Sequence, residues 1–424
     1  LHKNTAKNAF FLILKPNSFT FPLFSYIRGM NTLPQIRLKP GKEASLQRFH
    51  PWVFSGAIAS DTSGLEEGQT VEVYAHDHTY LGTGHFQPGS IAVRIFSFQQ
   101  QPIDAAFWES RLLQALSLRQ SAGLLQQAHT NMFRLVHGEG DGFPGLIVDV
   151  YNGLAVLQCH SMGFYRMREL ITHLLLKLPG IKLRAVYDKS AHSLPFPARP
   201  HAQDAYLHGQ PEEWVASEYG DQYYIEVEQG QKTGFFIDQR ENRRLLRQYA
   251  AGRSLLNAFC YTGGFSVAAL RGQAAAVTSV DSSQYALELC DKNVSLNFGQ
   301  QAPHQSLATN AFEMLNQIDQ QYDLIVLDPP AFAKHHKVLS RALKGYRKIN
   351  RRAIAQIRPN GILFTFSCSQ AVSRDAFRKT IFTSAALAGR KVRILHQLSQ
   401  PADHPISIYH PEGEYLKGLV LAVE

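Results

Sequence analysis

The 424-residue chain is poor in cysteine, with four residues at 159, 260, 290 and 368, no Cys-x-x-Cys pair and no histidine at a familiar ligand spacing. This excludes a disulfide framework, argues against a structural zinc or other metal, and suits a reducing, cytoplasmic setting. Long hydrophobic runs are also missing. The apolar stretches 9–14 and 21–27 are interrupted by Lys15, Pro16 and Asn17 and fall short of the ~20 residues a membrane span needs. Acidic side chains are outnumbered, 34 Asp and Glu against 43 Lys and Arg, which leaves a formal charge of +9. A basic balance favours polyanionic partners, because lysine and arginine release the counterions condensed on phosphates.

What is present divides the chain into segments. Residues 1–33 read as a disordered extension ahead of the first folded element. Residues 34–104 carry short apolar runs at 35–38, 70–74, 80–86 and 91–97, parted by glycine-rich turns, the pattern of a small β-barrel or sandwich. Residues 105–220 read as a small α/β domain. It opens with an amphipathic helix over 105–120, on which Phe107, Trp108, Leu112, Leu113 and Leu116 recur at helical spacing. A hairpin of strands 146–150 and 154–158 turns at Asn152-Gly153, a helix spans 167–178, a strand 184–188, and 194–200 is a proline-rich loop. In residues 221–424, a strand at 223–227 is followed by alternating elements: strand 253–257, helix 265–270, strand 276–280, helix 283–297, and strands 324–327 and 361–367. That alternation predicts a parallel, doubly wound sheet, so the fold class is α/β with a Rossmann-like C-terminal domain.

The first strand–helix turn, Asn257-Ala258-Phe259-Cys260-Tyr261-Thr262-Gly263-Gly264, lets backbone approach a ligand closely. It lacks the Gly-x-Gly-x-x-Gly of a dinucleotide site, and its bulky residues suit a ligand without phosphates, such as S-adenosyl-L-methionine. Asp281 closes the second strand, where a carboxylate can accept hydrogen bonds from both ribose hydroxyls. Ser282 follows it. Asn310 and Ala311 stand where an adenine contact is expected, the amide oxygen of Asn310 serving as acceptor. Ahead of the first strand, residues 230–243 place Phe235 and Phe236 beside Asp238 and Arg240, which suits a segment folding over the cofactor or the start of a helix.

Asp328-Pro329-Pro330-Ala331-Phe332 ends an apolar strand, and its prolines fix the backbone at the sheet's carboxyl edge. A flat base can rest on Phe332. Cys368 ends the next strand at the same edge. Cytosine C5 is a poor nucleophile unless a thiolate first adds at C6, while a carboxyl group balances the charge appearing at N3. Cys368 and Asp328 supply that pair, provided the thiol lies near Asp328 and faces an opening. Lys334, His335, His336, Lys337, Arg341, Lys344, Arg347, Lys348, Arg351 and Arg352 follow, a basic cluster able to hold phosphates or simply to form a solvated helix face.

Together, residues 230–243, 256–265, 328–332, 367–369, 403–405 and 411–418 resemble the bacterial ribosomal RNA large-subunit methyltransferase I family. His50-Pro51-Trp52-Val53-Phe54-Ser55-Gly56 looks like that family's PUA domain, a small RNA-binding barrel, and residues 138–146 like the start of its central domain. The resemblance implies a class I methyltransferase fold and 5-methylcytosine formation in 23S ribosomal RNA from S-adenosyl-L-methionine, with Cys368 and Asp328 catalytic. It implies cofactor contacts from Phe235, Asp238, Asn257, Phe259, Tyr261, Thr262, Gly263, Asp281, Ser282, Asn310, Ala311 and Asp328. RNA contacts are expected from Pro329, Pro330, Phe332, Lys334 and Arg347, with no membrane partner; a homodimer is left open. Two other readings compete: methylation of guanine or an exocyclic amine without a covalent step, and a non-catalytic RNA-binding assembly factor.

Overall fold

The computed structural model describes residues 33–195, 202–333 and 338–424. The expected extension, most of the 194–200 loop and the run from Lys334 to Lys337 lie outside them. Residues 34–424 form one compact unit.

The N-terminal part is a five-stranded sheet built from β1 (Gln35–Arg37), β2 (Trp52–Phe54), β3 (Thr70–Tyr74), β4 (Tyr80–Phe86) and β5 (Ile91–Ser97), in the order β1-β3-β4-β5-β2, with a short helix α1 (Ala44–Gln47). Period-two burial sends Val71 and Val73 inward with Ile36, Val53, Val93 and Ile95. Gly84 is required here, because a Cβ would sit 2.4 Å from the carbonyl oxygen of Arg94 on the paired strand.

Helix α2 (Ala105–Ser121) starts at Asp104, whose carboxylate accepts from the Phe107 amide. Its Trp108, Leu112 and Leu116 pack into the central domain against Phe143 and Phe164. That domain's sheet has the order β10-β9-β8-β7-β6, from β6 (Met132–His137), β7 (Leu146–Tyr151), β8 (Leu154–Cys159), β9 (Ala185–Asp188) and β10 (Ala205–His208). Asn152 and Gly153 both take positive φ, 46° and 93°, as the two-residue turn demands. The expected helix over 167–178 is instead two, α3 (Met162–Arg166) and α4 (Arg168–Leu175), broken at Met167 where ψ rises to 2°. The expected strand 223–227 is shifted to β12 (Asp221–Tyr224), paired with β11 (Val215–Glu218). The reason is the turn at Tyr219-Gly220, with φ of 50° and 86°, which sets the register. The anticipated boundary at 220/221 therefore falls at the tip of a hairpin. Tyr151, Trp214 and Tyr223 share one core with Phe265, Leu324 and Phe364, so the central and C-terminal parts are packed together.

The C-terminal part contains α5 (Arg240–Ala250), β13 (Ser254–Ala258), α6 (Gly264–Arg271), β14 (Ala276–Asp281), α7 (Gln284–Phe298), β15 (His304–Ala308), α8 (Ala311–Met314), β16 (Leu324–Leu327), α9 (Leu339–Gln356), β17 (Gly361–Ser367), α10 (Arg374–Ala388), β18 (Val392–Ser399) and β19 (Lys417–Val423). Its seven strands run β15-β14-β13-β16-β17-β19-β18. The first five are parallel, as expected, but β19 is antiparallel to both its neighbours, which corrects the wholly parallel sheet. A return strand can slot between β17 and β18 because the loop after β18 is long enough to reverse the chain. β17 is buried along its whole length, the signature of a strand covered on both faces. The register pairs Ala258 with Leu327 and Leu327 with Thr365, so the segments after β13, β16 and β17 emerge side by side at one edge.

Candidate active site

The turn after β13 alternates left-handed residues: Phe259 at φ 63°, Tyr261 at 48° and Gly263 at 79°. Side-chain-bearing residues in that region cost on the order of 1–3 kcal/mol each and persist only when their surroundings hold them. Here the Cys260 amide donates to the Val280 carbonyl (3.0 Å), the Tyr261 amide to Asp281 Oδ2 (3.0 Å), and Asn293 Nδ2 to the Thr262 carbonyl (2.9 Å). At Gly263 a Cβ would meet Cys290 Sγ at 2.3 Å, so packing as well as conformation demands glycine. Asp281 also accepts from the Ser283 amide (3.0 Å), beside the exposed Ser282. Asn310 caps α8 through its carbonyl oxygen, which takes the Phe312 amide at 2.8 Å, and Ala311 is buried behind it.

Residues 230–243 lie against this turn. The Gln231 amide donates to the Tyr261 hydroxyl (2.8 Å), the Phe236 ring meets the Tyr261 ring edge-on at 5.3 Å, and Arg243 Nη1 holds the Phe236 carbonyl (2.8 Å). Asp238 Oδ2 accepts from the Tyr415 hydroxyl (2.7 Å), while its Oδ1 is buried and has no partner. Phe235 is packed between Tyr223 and the Arg243 guanidinium as a wall of the core. Asn257, one residue before the end of β13, is fully buried and donates to Ser266 Oγ (2.9 Å), while its Oδ1 has no partner.

At the neighbouring strand ends, Gln239 Nε2 donates to Asp328 Oδ2 (3.0 Å), and Gln239 is itself fixed by Asn242 Nδ2 (2.6 Å). Burial, reinforced by the charge of Asp238, pushes the Asp328 carboxyl up to about 7. The half-buried Cys368 donates from Sγ to the Pro329 carbonyl (3.7 Å). Burial, with Asp328 and Asp238 adding to it, pushes this thiol up to about 12. The thiol therefore sits on the carbonyl of the residue that follows Asp328. Ser369 latches the two loops, its hydroxyl touching the Ala333 amide (3.2 Å) and the Tyr346 hydroxyl (3.0 Å). The buried Lys417 ammonium donates to the Ser369 and Val372 carbonyls at 2.7 and 2.5 Å, and its burial pulls it down to about 8. Pro329 is buried, Pro330 exposed, and Phe332 lies 4.6 Å from the Tyr346 ring. Arg347 is exposed on α9 with Arg341, Lys344, Lys348 and Arg351, while Tyr346, Ile349 and Asn350 form the buried face. Lys334 lies outside the described residues. Gln239, Ser369, Tyr415 and Lys417 belong to stretches conspicuous in the sequence, but their roles follow only from contacts across up to 177 positions of chain.

A cleft of about 1230 Å³ is lined by Trp52 and Ile91 of the N-terminal sheet, Gln370 and Ser373 after β17, and Glu412 and Lys417 near the C-terminal strand; Cys368 and Asp328 are not in its wall. Below the site runs a paired set of buried charges. Arg134 binds Asp149 through two bonds (2.7 and 2.8 Å), Arg243 binds Glu218 likewise (both 2.7 Å), and Arg240 lies 3.1 Å from Asp403. Burial alone would raise Asp403, but Arg240, His404 and the Arg134 amide hold it well below the usual carboxylate range.

A sequence profile of S-adenosylmethionine-dependent methyltransferases matches residues 134–408, and one of PUA-like domains matches residues 36–98. The chain is 39% identical over 396 residues to the ribosomal RNA large subunit methyltransferase I of Pseudoalteromonas atlantica, covering 92% of this chain and 99% of that one. It is 37% identical over 398 residues to the protein of that name from Klebsiella pneumoniae, covering 92% and 98%. Two solved structures each give a TM-score of 0.78 over 92% of this chain and 100% of theirs. One is described as a SAM-dependent methyltransferase of Streptococcus mutans, 24% identical; the other is a methyltransferase complexed with SAH, 25% identical. Among the described residues no helix is long and apolar enough to cross a membrane. The site fits the cofactor these matches imply: the buried, unpartnered Asp238 Oδ1 calls for a donor or cationic ligand, and Asp281 retains acceptor capacity for hydroxyl groups. From the profile match over most of the chain and the identity across nearly the full length of both relatives, the protein belongs to the ribosomal RNA large subunit methyltransferase I family of S-adenosylmethionine-dependent methyltransferases.

Proposed function

We propose that the protein methylates 23S ribosomal RNA, forming 5-methylcytosine through a covalent bond between Cys368 and C6 of the target base. The observation that carries this reading is the meeting of a half-buried thiol with a carboxyl group raised to about 7 at one sheet edge. The turn 259–263, Asp238, Asp281, Asn310 and Ala311 would hold S-adenosyl-L-methionine, which would supply an electrophilic methyl group to C5, its methyl–sulfur bond breaking to leave S-adenosylhomocysteine.

Asp328 is near half-protonated at neutral pH and can donate its proton to cytosine N3, as a carboxyl group kept neutral by its surroundings does. Gln239 keeps that carboxyl in place. Protonation is concerted with attack by the minor thiolate fraction of Cys368, whose proton has gone to hydroxide or buffer: Sγ bonds to C6, the C5=C6 pair becomes C4=C5, and the C4=N3 pair takes up the Asp328 proton at N3, which leaves C5 nucleophilic. Asp328 therefore offsets charge at the base instead of opposing the thiolate, whose neighbours otherwise hold it as a thiol. After C5 has taken the methyl group, a base removes the C5 proton. The C5–H electrons restore the double bond and expel Sγ, and the N3 proton returns to Asp328. RNA held by the N-terminal sheet would lie along the cleft between Trp52 and Gln370, and Arg347 offers a phosphate contact.

A second reading, methylation of guanine or an exocyclic amine without a covalent step, draws on one observation: Cys368 is held as a neutral thiol on the Pro329 carbonyl. Cys368→Ala separates the two. With unmodified 23S ribosomal RNA as substrate and transfer of a radiolabelled methyl group as readout, the covalent route expects turnover to fall by more than about a thousandfold while SAH binding by calorimetry is unchanged. Near-normal turnover in the variant would establish the non-covalent reading.

A further inference from the structure

Where the three parts of the chain meet, a second cavity of about 320 Å³ adjoins the cleft, with Trp52, Ile91 and Gln370 in both walls. Ile91, Leu146 and Ile147 give it apolar faces, while Arg94, Glu139, His160 and His410 bring polar groups to it. Its frame is fixed. The Trp52 indole donates to Glu139 Oε1 (2.8 Å) and packs 4.4 Å from the His410 ring. At Gly140 a Cβ would collide with the Pro405 carbonyl oxygen, so the loop before β7 is pressed against the loop after β18. The polar groups, in contrast, are unfinished. Among the described residues the Arg94 guanidinium makes one hydrogen bond, to Gln87 Oε1 (3.3 Å), the Glu139 carboxylate accepts one, from Trp52, and neither forms an ion pair. Nε2 of the buried His410 has no hydrogen-bond partner, Glu412 Oε2 lying 3.8 Å away. Burial pushes the His160 ring down to about 4, so it is neutral and offers one donor and one acceptor.

We propose that this cavity takes a guanine base, which, resting on the reading that the substrate is RNA, belongs to a guanosine of that RNA near the target nucleotide. An arginine and a carboxylate that line one cavity without pairing are completed by a ligand that accepts from the first and donates to the second. Guanine does both from separate edges: O6 and N7 accept from a guanidinium bidentately, and the N1 and N2 hydrogens suit a carboxylate. Cytosine sets its acceptors and its amine along one edge, which would bring Arg94 and Glu139 side by side, where they would pair with each other. Adenine has its amine beside both N7 and N1, which a guanidinium cannot match. Ile91 and Ile147 offer apolar cover for the flat faces, and the volume lies within the ~300–1,000 Å³ of small-molecule sites. Gln370 stands two residues after Cys368, so the base would be held near the end of the strand that carries the thiol. Such a pocket would select the sequence beside the methylated position and leave the transfer itself to the other strand ends.

The full-length protein is titrated with GMP, IMP, AMP and CMP by calorimetry. GMP should bind about tenfold tighter than AMP or CMP, and tighter than IMP, which lacks the N2 amine. Arg94→Gln should weaken GMP by about tenfold, and Glu139→Gln, whose amide oxygen can still accept from Trp52, should erase the preference for GMP over IMP. SAH binding in both variants should match the wild type, which shows that they are folded. Equal or absent binding of the four nucleotides by the wild type overturns the proposal, as does an unchanged GMP affinity in Arg94→Gln; should that variant fail to fold, the wild-type titration and Glu139→Gln decide. Methyl transfer to 23S ribosomal RNA then tests the source of the base: each variant should raise KM for RNA several-fold with kcat little changed, and an unchanged KM in both overturns the assignment to RNA. The nucleotide titration needs no RNA, so its failure is distinct from a failure of the wild type to methylate RNA.

Discussion

Asp403 is fully buried and Asp328 half-buried, yet it is the first that is held firmly ionised and the second that is driven toward neutrality. Asp403 has Arg240, His404 and the Arg134 amide around it. Asp328 has a neutral amide from Gln239 and a like charge nearby in Asp238. The difference separates architecture from chemistry. Charges that complete one another fasten the central domain to the catalytic sheet, and a charge left incomplete is one whose partner arrives with the ligands.

The comparison can be broken most forcefully at its paired end. Asp403→Ala leaves the buried guanidinium of Arg240 with only Glu218 at 3.5 Å and the Met132 carbonyl, and loss of one member of a buried pair costs about 3–5 kcal/mol. A lower urea midpoint of that order is expected; an unchanged midpoint would show that the network holds nothing together. At the unpaired end the effect is smaller and opposite in sign. A carboxyl group near 7 when folded and near 3.8 when unfolded binds more protons in the folded state, so its contribution to stability is full below about 4 and is lost as pH rises to about 7. Asp328→Asn removes that loss. Its melting temperature should gain on the wild type between pH 5 and pH 8 while turnover collapses. A gap that narrows with rising pH would contradict the assigned environment. The least effect is expected from a charge in neither set. Arg347→Ala should leave folding and SAH binding alone, weaken RNA binding severalfold, and lower the salt-dependence slope by about one. No change in that slope would remove Arg347 from the RNA path.

Much of the fold could be read from local pattern. The bounds of β3, β4, β5, β16 and β17 agree with the apolar runs because each strand has its own period or continuous burial. Asn152-Gly153 announced its turn through conformational preference. The misreadings have two sources: β12 takes its register from the adjacent Tyr219-Gly220 turn, and β19 finds its slot only from its partners β17 and β18. The site divides in the same way. Asp328 and Cys368 end recognisable strands, so their meeting was legible. That Phe235 and Asn257 turn into the core, and that Gln239, Tyr415 and Lys417 brace the edge, depends on packing between elements far apart in the chain.

The placement of β19 also governs when the enzyme can come into being. During synthesis β17 and β18 leave the ribosome with a vacant lane between them, and the lane is filled by Lys417–Val423, which emerges later than either. Lys417, whose ammonium grips the loop carrying Ser369, arrives with that same segment. A nascent chain can fold its N-terminal sheet early, but the strand edge bearing Cys368 stays unbraced until translation has passed this stretch, so a growing polypeptide could engage RNA before it could modify it.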